Sequence, residues 1–408
     1  MRTADRDLAA RDPALPALPV LLDDALLGEW LAGHGLGRAR RRYLRYKPGT
    51  SCLLRLDLEV GDPERGGTTV PAVLATRAAD GAGKLARTRQ EAPPGSVLAA
   101  DDDARLLLTT PAADRVLPAV AALSGDRPGA ALAGLLPGED LGAATVRVLR
   151  YKPARRWVAL LGRPDADPLL LRAHAPAVAA AAAARLRAFG TARVRTPALV
   201  AEDPVLGLVV TEWLPGRTLA DLPPADHPAA LRRTGGALAT LHQHAAPGLP
   251  RRGPHETGSA VRAAAGLVAH LLPHEAERAA ALARAATDRL RPEVPGRVCH
   301  GDFSADQVVL GPHGVALVDL DEVGCDDPAV DLAGFLAAAT AERRLGPADA
   351  WSFLDGYRTL RPLPDPRRLA AATAAALLRR AAEPFRLAEP DWAARVVAVL
   401  DAAERELR

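Results

Sequence analysis

Between residues 298 and 333 the chain reads VCHGDFSADQVVLGPHGVALVDLDEVGCDDPAVDLA. His300, Gly301 and Asp302 end an apolar lead-in, Gln307 follows five residues after Asp302, and Asp319 and Asp321 lie beyond a Gly/Pro turn. The turn separates two short apolar runs, 308–310 and 315–318, so the stretch reads as loop, strand, turn, strand with carboxylates at both ends. Phosphoryl transfer asks a protein for one carboxylate near the acceptor hydroxyl, and for a second carboxylate with another oxygen ligand to hold Mg²⁺ on the phosphates. Asp302 fits the first role, and Gln307 with Asp319 fits the second. HGD alone would mean only a turn with helix-capping acids, because three residues recur by chance. The spacing of the whole set is what makes it specific.

With VDLD at 318–321 and DPAVDLA at 327–333, the stretch resembles the catalytic segment of the aminoglycoside phosphotransferase and choline kinase family. The resemblance implies an α+β, bilobal, protein-kinase-like fold of the aminoglycoside phosphotransferase type. It also implies ATP as donor, with GTP as the alternative, Mg²⁺ as cofactor, and a small hydroxylated acceptor. In that pattern His300 supports the hydrogen bonds of the loop. Asp302 orients the acceptor hydroxyl and late in the reaction takes its proton. Gln307 stands where the family commonly has Asn, its carbonyl one methylene further out. Bacterial maltokinases and related glucosamine kinases resemble this chain in carrying Gln there and extra N-terminal structure. Asp331, at the start of the run DLAGFLAAAT, is expected to cap that helix and brace the loop.

These residues need a second group of elements to hold a nucleotide. Residues 144–175 read as three strands split by KPAR and GRPDADP. A kinase usually places a Gly-rich loop at the first of these turns, so that backbone N–H groups approach the phosphates. Here the turn is Lys152-Pro153-Ala154-Arg155-Arg156, without glycine, which leaves Lys152, Arg155 and Arg156 as candidate phosphate contacts or as a solvated basic turn. Arg172 occupies the place of the family's strand Lys, with a planar fork and a different reach. The Ala-rich helix expected over 176–189 has no Glu to pair with it. Thr211-Glu212-Trp213-Leu214-Pro215-Gly216 resembles the family's interlobe hinge, which implies an adenine edge on the backbone of Glu212, Trp213 and Leu214. Trp213 would line that slot or pack in the core.

The same hairpin occurs twice. YLRYKPGTSCLLRL at 43–56 reappears as VLRYKPARRWVALL at 148–161, and VPAVLATRA at 70–78 mirrors PLLLRAHA at 168–175. Residues 97–117 align without gaps to 199–219, with identities at Ala99/Ala201, Asp101/Asp203, Leu106/Leu208, Thr109/Thr211, Arg115/Arg217 and Leu117/Leu219. Three segments in one order predict a duplicated N-lobe. The expected organisation is a cap over 1–140 without a nucleotide site of its own, a kinase N-lobe over 141–215, and a mostly helical C-lobe over 216–408. Helices are expected at 20–34, 226–246, 347–360, 366–383 and 390–407 from their apolar spacing.

Composition narrows the classes. Half the residues are apolar and a quarter charged, which suits a globular chain with a real core. Of 52 basic residues only Lys47, Lys84 and Lys152 are lysine, and a net charge of +3 with few aromatics argues against a nucleic-acid partner. Cys52, Cys299 and Cys325 are an odd, widely spaced set, so neither a disulfide framework nor a zinc site is expected, and reduced thiols suit a cytoplasmic protein. No secretory signal or membrane-spanning run is visible. His242 and His244 stand i, i+2 on different helix faces, which disfavours a shared metal. The dense acids from Asp319 to Asp331 would suit a cationic acceptor such as an aminosugar. The leading expectation is a small-molecule O-phosphotransferase for a sugar, aminosugar or aminoglycoside-like metabolite. The alternative is a pseudokinase or nucleotide-binding module, favoured by Arg172, the missing Glu and the glycine-free turn, and opposed by intact Asp302, Gln307 and Asp319.

Overall fold

The structure, a computed structural model, describes residues 1–61, 68–125, 127–189, 193–244, 248–290, 296–343 and 345–408. They fall into two compact units. One holds Met1–Ala180, Ala201–Val210 and Pro384–Ala393; the other holds Ala181–Val200, Thr211–Glu383 and Ala394–Arg408.

The first unit opens with helices α1 (Thr3–Ala10), α2 (Leu18–Leu22) and α3 (Asp24–Gly33). The single helix that apolar spacing predicts over 20–34 is interrupted at Asp23. The Asp23 carboxylate accepts the N–H groups of Ala25 and Leu26, both at 3.1 Å, so it caps α3 and satisfies two of its orphan donors. Next comes a five-stranded sheet of β1 (Ala39–Lys47), β2 (Ser51–Val60), β3 (Thr68–Arg77), β4 (Val97–Asp101) and β5 (Leu106–Thr109), with α4 (Ala82–Glu91) between β3 and β4. After α5 (Pro118–Leu123) and α6 (Pro128–Leu132) a second sheet forms from β6 (Thr145–Lys152), β7 (Arg156–Arg163), β8 (Ala166–Ala173), β9 (Leu199–Asp203) and β10 (Leu208–Glu212). Helix α7 (Pro176–Phe189) follows β8. The strand orders are β1-β2-β3-β5-β4 and β6-β7-β8-β10-β9.

Register repeats with order. Lys47 faces Ser51 across the first hairpin and Lys152 faces Arg156 across the second. Two residues further on, Leu53 pairs with Ala75 in the first sheet and Val158 with Arg172 in the second. Ala75 and Arg172 therefore hold equivalent places. Alternation along the strands turns Trp157, Ala159, Leu161 and Leu171 into a core that also takes Leu117, Val120 and Leu132 from the connecting helices and Val73 from the first sheet. Burying each such large side chain is worth roughly 1.5–3 kcal/mol. The C-terminal segment of this unit is held by Trp392, whose indole N–H donates to Asp5 at 2.8 Å while its ring meets Phe385 edge-on.

The second unit carries helices α8 (His227–Leu241), α9 (Pro254–Leu271), α10 (Ala276–Asp288), α11 (Ala329–Glu342), α12 (Pro347–Arg358) and α13 (Pro366–Arg380). The short α14 (Glu383–Arg386) and the long α15 (Trp392–Leu407) complete the chain. Helix α8 ends before the span that sequence spacing suggests, and residues 245 and 246 of that span lie outside the described residues. Helices α8 and α12 touch through glycines. A Cβ on Gly235 would come 2.1 Å from the Phe353 carbonyl oxygen, and one on Gly356 would come 2.0 Å from that of Arg232. Two small sheets complete the unit: β11 (Arg217–Thr218), β13 (Val308–Gly311) and β14 (Gly314–Leu317) in the order β11-β13-β14, and β12 (Arg297–Cys299) with β15 (Gly324–Asp326). Phe303, Phe335 and Phe353 pack beneath the loop that follows β12, with the Phe335 and Phe353 centroids 4.1 Å apart. No helix among the described residues is long and apolar enough to cross a membrane.

Candidate active site

Strand β12 delivers the chain to His300, and a buried carboxylate fixes the loop from that point on. The backbone N–H of His300 donates to Asp331 at 2.6 Å and that of Gly301 at 2.7 Å. His242 Nε2 lies 3.0 Å from the same carboxylate, and His242 Nδ1 lies 2.8 Å from the Tyr357 hydroxyl. One ring proton satisfies both contacts: Nε2–H donates to Asp331 and Nδ1 accepts from Tyr357. Burial alone would raise the Asp331 carboxyl, but the hydrogen bonds from His242 and the Gly301 N–H help to hold it below its ordinary value. Asp331 sits in the first turn of α11 rather than at its N-cap, which is Pro328. Its work is to brace the loop.

The brace shapes the backbone around Asp302. Gly301 has φ +88, and a Cβ there would stand 2.3 Å from the Glu322 carbonyl oxygen, so the HGD step tolerates only glycine. His300 is buried, and its Nε2 meets the Val318 carbonyl at 2.9 Å, tying the loop to the end of β14. Asp302 follows with its side chain 57% exposed, its Oδ1 3.8 Å from Arg380 Nη2. Arg380 also lies 3.3 Å from Glu383 and 4.0 Å from Glu342, so its charge is shared among three carboxylates. Sequence spacing gave no signal for Arg380, which arrives from α13.

The β13–β14 hairpin brings the other two candidates together. Val308 pairs with Leu317, and the Val318 N–H donates to the Gln307 backbone carbonyl at 2.9 Å, so Asp319 is the next residue beyond Gln307's partner. Asp319 adopts φ 65 and ψ 51, the left-handed region that non-glycine residues rarely visit and that recurs at functional sites. The Gln307 side-chain oxygen accepts the Ser304 N–H at 2.9 Å, and its second lone pair is left for another partner. An amide oxygen and a carboxylate form a hard, all-oxygen donor set that suits Mg²⁺.

One group of His, Cys and Asp ligand atoms among the described residues lies close enough to hold an ion: His242, Cys299 and Asp331, all buried. Its chemistry is that of a brace. The Asp331 oxygens already take three donors, and burial pushes the Cys299 thiol well up, away from the thiolate a metal would need. The acids after β14 are also largely committed. Asp327 receives Arg368 Nε at 2.6 Å, Glu322 pairs with Arg252, and burial raises Asp326.

In the first unit Arg172 is buried on β8. Lys152 closes β6, with its ammonium 5.7 Å from the Tyr43 ring centroid. Arg155 is exposed at the turn. That turn is held from the first sheet. Arg45 Nη1 donates to the Ala154 carbonyl at 2.8 Å, and the Ala154 N–H donates to Asp114 at 2.7 Å. The Tyr151 hydroxyl adds a bond to Asp114 at 2.9 Å. Neither Arg45 nor Asp114 stands out in the sequence as part of a phosphate turn. In the second unit, the Glu212 carboxylate pairs with Arg195 and accepts the Ala198 N–H at 3.4 Å, while Leu214 is buried against Val309 and Ala316. Trp213, between them in sequence, is half-buried. Arg185, near the end of the helix that lacks a Glu, donates to the Asp321 backbone carbonyl.

The model of the phosphotransferase enzyme family matches residues 142–371, more than half of the chain. The chain belongs to that family. The matched stretch begins just before β6 and takes in the loop at His300–Asp302, Gln307, Asp319 and Asp331. Its members' chemistry makes this chain a small-molecule kinase with a hydroxyl acceptor. Among solved structures the chain is similar to a fructosamine-3-kinase candidate of Thermobifida fusca YX-ER1, at 21% identity over 69% of this chain and 98% of that one, with a TM-score of 0.50. It is also similar to the macrolide 2'-phosphotransferase MphH of Brachybacterium faecium, at 21% identity over 69% and 98%, TM-score 0.47. A third is the aminoglycoside phosphotransferase APH(3'')-Id of Streptomyces rimosus ATCC10970, at 20% identity over 59% and 94%, TM-score 0.48. At 21% identity the likeness to the first of these speaks to fold alone. No curated protein matches the chain.

Proposed function

We propose that this phosphotransferase moves the γ-phosphoryl group of ATP, in the presence of Mg²⁺, to a hydroxyl of a sugar or related polyhydroxylated metabolite. The observation that carries the reading is the exposed Asp302 carboxylate on a backbone locked by Asp331. Asp302 accepts the hydrogen bond of the acceptor hydroxyl, orients its oxygen, and takes the proton late in transfer. Gln307 Oε1 and Asp319 hold Mg²⁺, which when bound spreads the charge of the phosphate oxygens. Arg172 supplies the fixed positive charge that a strand Lys supplies elsewhere, its fork suited to two phosphate oxygens at once. The backbone of Glu212, Trp213 and Leu214 receives the adenine edge, and Lys152 and Arg155 assist at the phosphates.

A strongly cationic acceptor fits less well than the density of acids suggests, because Glu322 and Asp327 already have arginine partners and Asp331 is buried. The rival reading, a nucleotide-binding module without transfer, draws on Arg172 and on the glycine-free, docked β6–β7 turn. One experiment decides between them: nucleotide turnover by the purified chain with ATP or GTP, against sugars, aminosugars and aminoglycosides, with a Mg²⁺-free control. Acceptor-dependent, Mg²⁺-dependent turnover is the expected result. Nucleotide binding without turnover on any acceptor would overturn the proposal.

A further inference from the structure

The first sheet carries a cavity of about 250 Å³ on one face. Its floor is a row across three strands, Leu53 on β2, Ala75 on β3 and Leu107 on β5, which pair directly in the ladder. Val73 and Arg77, two residues either side of Ala75, share that face. This is the face that corresponds to the Arg172 face of the second sheet, since Ala75 is the register equivalent of Arg172. Exchanging a long side chain for a methyl is what leaves space there. Helix α4 supplies one wall through Lys84 and Thr88, and Pro153 and Ala154 of the β6–β7 turn supply another.

Charge in the cavity is unbalanced. Arg115 at the rim is paired with Glu91 at 2.6 Å, and Asp114 is occupied by Tyr151 and the Ala154 N–H. Arg77 and Lys84 pair with no carboxylate among the described residues. Burial, and then the neighbouring Arg45, pull the Arg77 guanidinium down, so a half-buried cation faces a second cation, and the single Asp114 carboxylate in the lining offsets only part of the positive charge. A half-buried charge with no partner is costly, and an anion would relieve it. Arg45, Arg77 and Lys84 set against the one Asp114 carboxylate leave an excess of positive charge that suits a dianion better than a carboxylate. The apolar floor leaves room for a compact body, and Thr88 and Thr109 offer it hydroxyls. The volume is below the range of about 300–1,000 Å³ of drug-sized sites, which excludes a nucleoside triphosphate.

We propose that this cavity is a second ligand site, separate from the nucleotide chemistry, that takes a small phosphate monoester with a body of about hexose size. Arg77 and Lys84 bind the phosphate, and the body lies on Leu53, Val73, Ala75 and Leu107. Because Pro153 and Ala154 form a wall, an occupant also braces the β6–β7 turn. The inference rests on the first unit alone and not on the phosphotransferase reading.

The test uses the full chain with glucose monophosphate, free glucose and inorganic phosphate as probes, followed by thermal unfolding and hydrogen exchange. Glucose monophosphate is expected to raise Tm in a saturable way and to slow exchange at 151–156, with free glucose inactive and inorganic phosphate weaker. Lys84→Glu, on an exposed helix position, should weaken binding about tenfold or more while leaving the ligand-free Tm unchanged. Arg77→Gln should do the same, and Ala75→Phe should abolish binding by filling the floor. The shift should persist in Asp302→Asn, which separates it from acceptor or product binding at the catalytic loop. No response to glucose monophosphate, an undiminished response in both charge variants, or an equal response to inorganic phosphate would each overturn the proposal.

Discussion

Asp331 shows how one buried carboxylate can fix the geometry of an exposed one. Its two backbone donors are consecutive residues, His300 and Gly301, so the next residue, Asp302, leaves the loop in a set direction. Asp331→Asn removes the charge and turns one acceptor into a donor facing N–H groups. The expected loss of stability is about 3 kcal/mol or more, read by denaturant unfolding. Because the folded carboxyl lies below its unfolded value of 3.8, the stability it contributes is complete above that pH and is lost as pH falls through the lower folded value. The wild-type chain should therefore lose Tm on acidification below about pH 4, and Asp331→Asn should lose less over the same window; parallel acid curves would contradict the assignment. A second residue-scale prediction concerns the metal. Asp319→Ala should abolish the Mg²⁺-dependent part of the thermal stabilisation by ATP, and an unchanged Mg²⁺ effect would place the metal elsewhere. In the sequence the local signal places Asp302 ahead of the β13–β14 hairpin and Gln307 and Asp319 at its two ends. That signal had no access to His242 as the partner of Asp331 and Tyr357, or to Arg380 beside Asp302, because each contact joins segments far apart in the chain.

At the scale of elements, the hairpins and their repeat were legible because period-2 alternation and the Lys-Pro turns are written into short windows. The split of α2 from α3 was also encoded, in a capping Asp23, but apolar spacing alone ran straight through it. What docks the β6–β7 turn was not legible. Its strength lies in Arg45 and Asp114, each outside the turn. Asp114→Ala would leave the Ala154 N–H and the Tyr151 hydroxyl without their acceptor, at a cost of about 1–3 kcal/mol, and should raise hydrogen exchange at 151–155 above that of β7. Uniform exchange in that variant would show that the turn is held otherwise. The α8–α12 contact makes a sharper demand. Gly356→Ala puts a methyl 2.0 Å from a carbonyl oxygen, so the helices must separate, and a loss of about 1–3 kcal/mol is expected. A neutral result by chemical unfolding would mean that α12 shifts freely.

Across the whole molecule, one strand order is used twice, while the family match covers only the stretch from residue 142 to 371. The second sheet carries Arg172 where the first carries Ala75, and the repeats have diverged in charge at equivalent places. The loop with Asp302 follows once, after β12. A single phosphotransfer chemistry, dependent on one carboxylate, is therefore expected of the chain. The most direct test is steady-state transfer by Asp302→Ala, with nucleotide affinity measured in parallel on the same preparation. Turnover should fall by ~10²-fold or more while nucleotide affinity stays within about twofold, since the role proposed for the residue is at the acceptor hydroxyl. Wild-type turnover in Asp302→Ala would contradict the account at its centre.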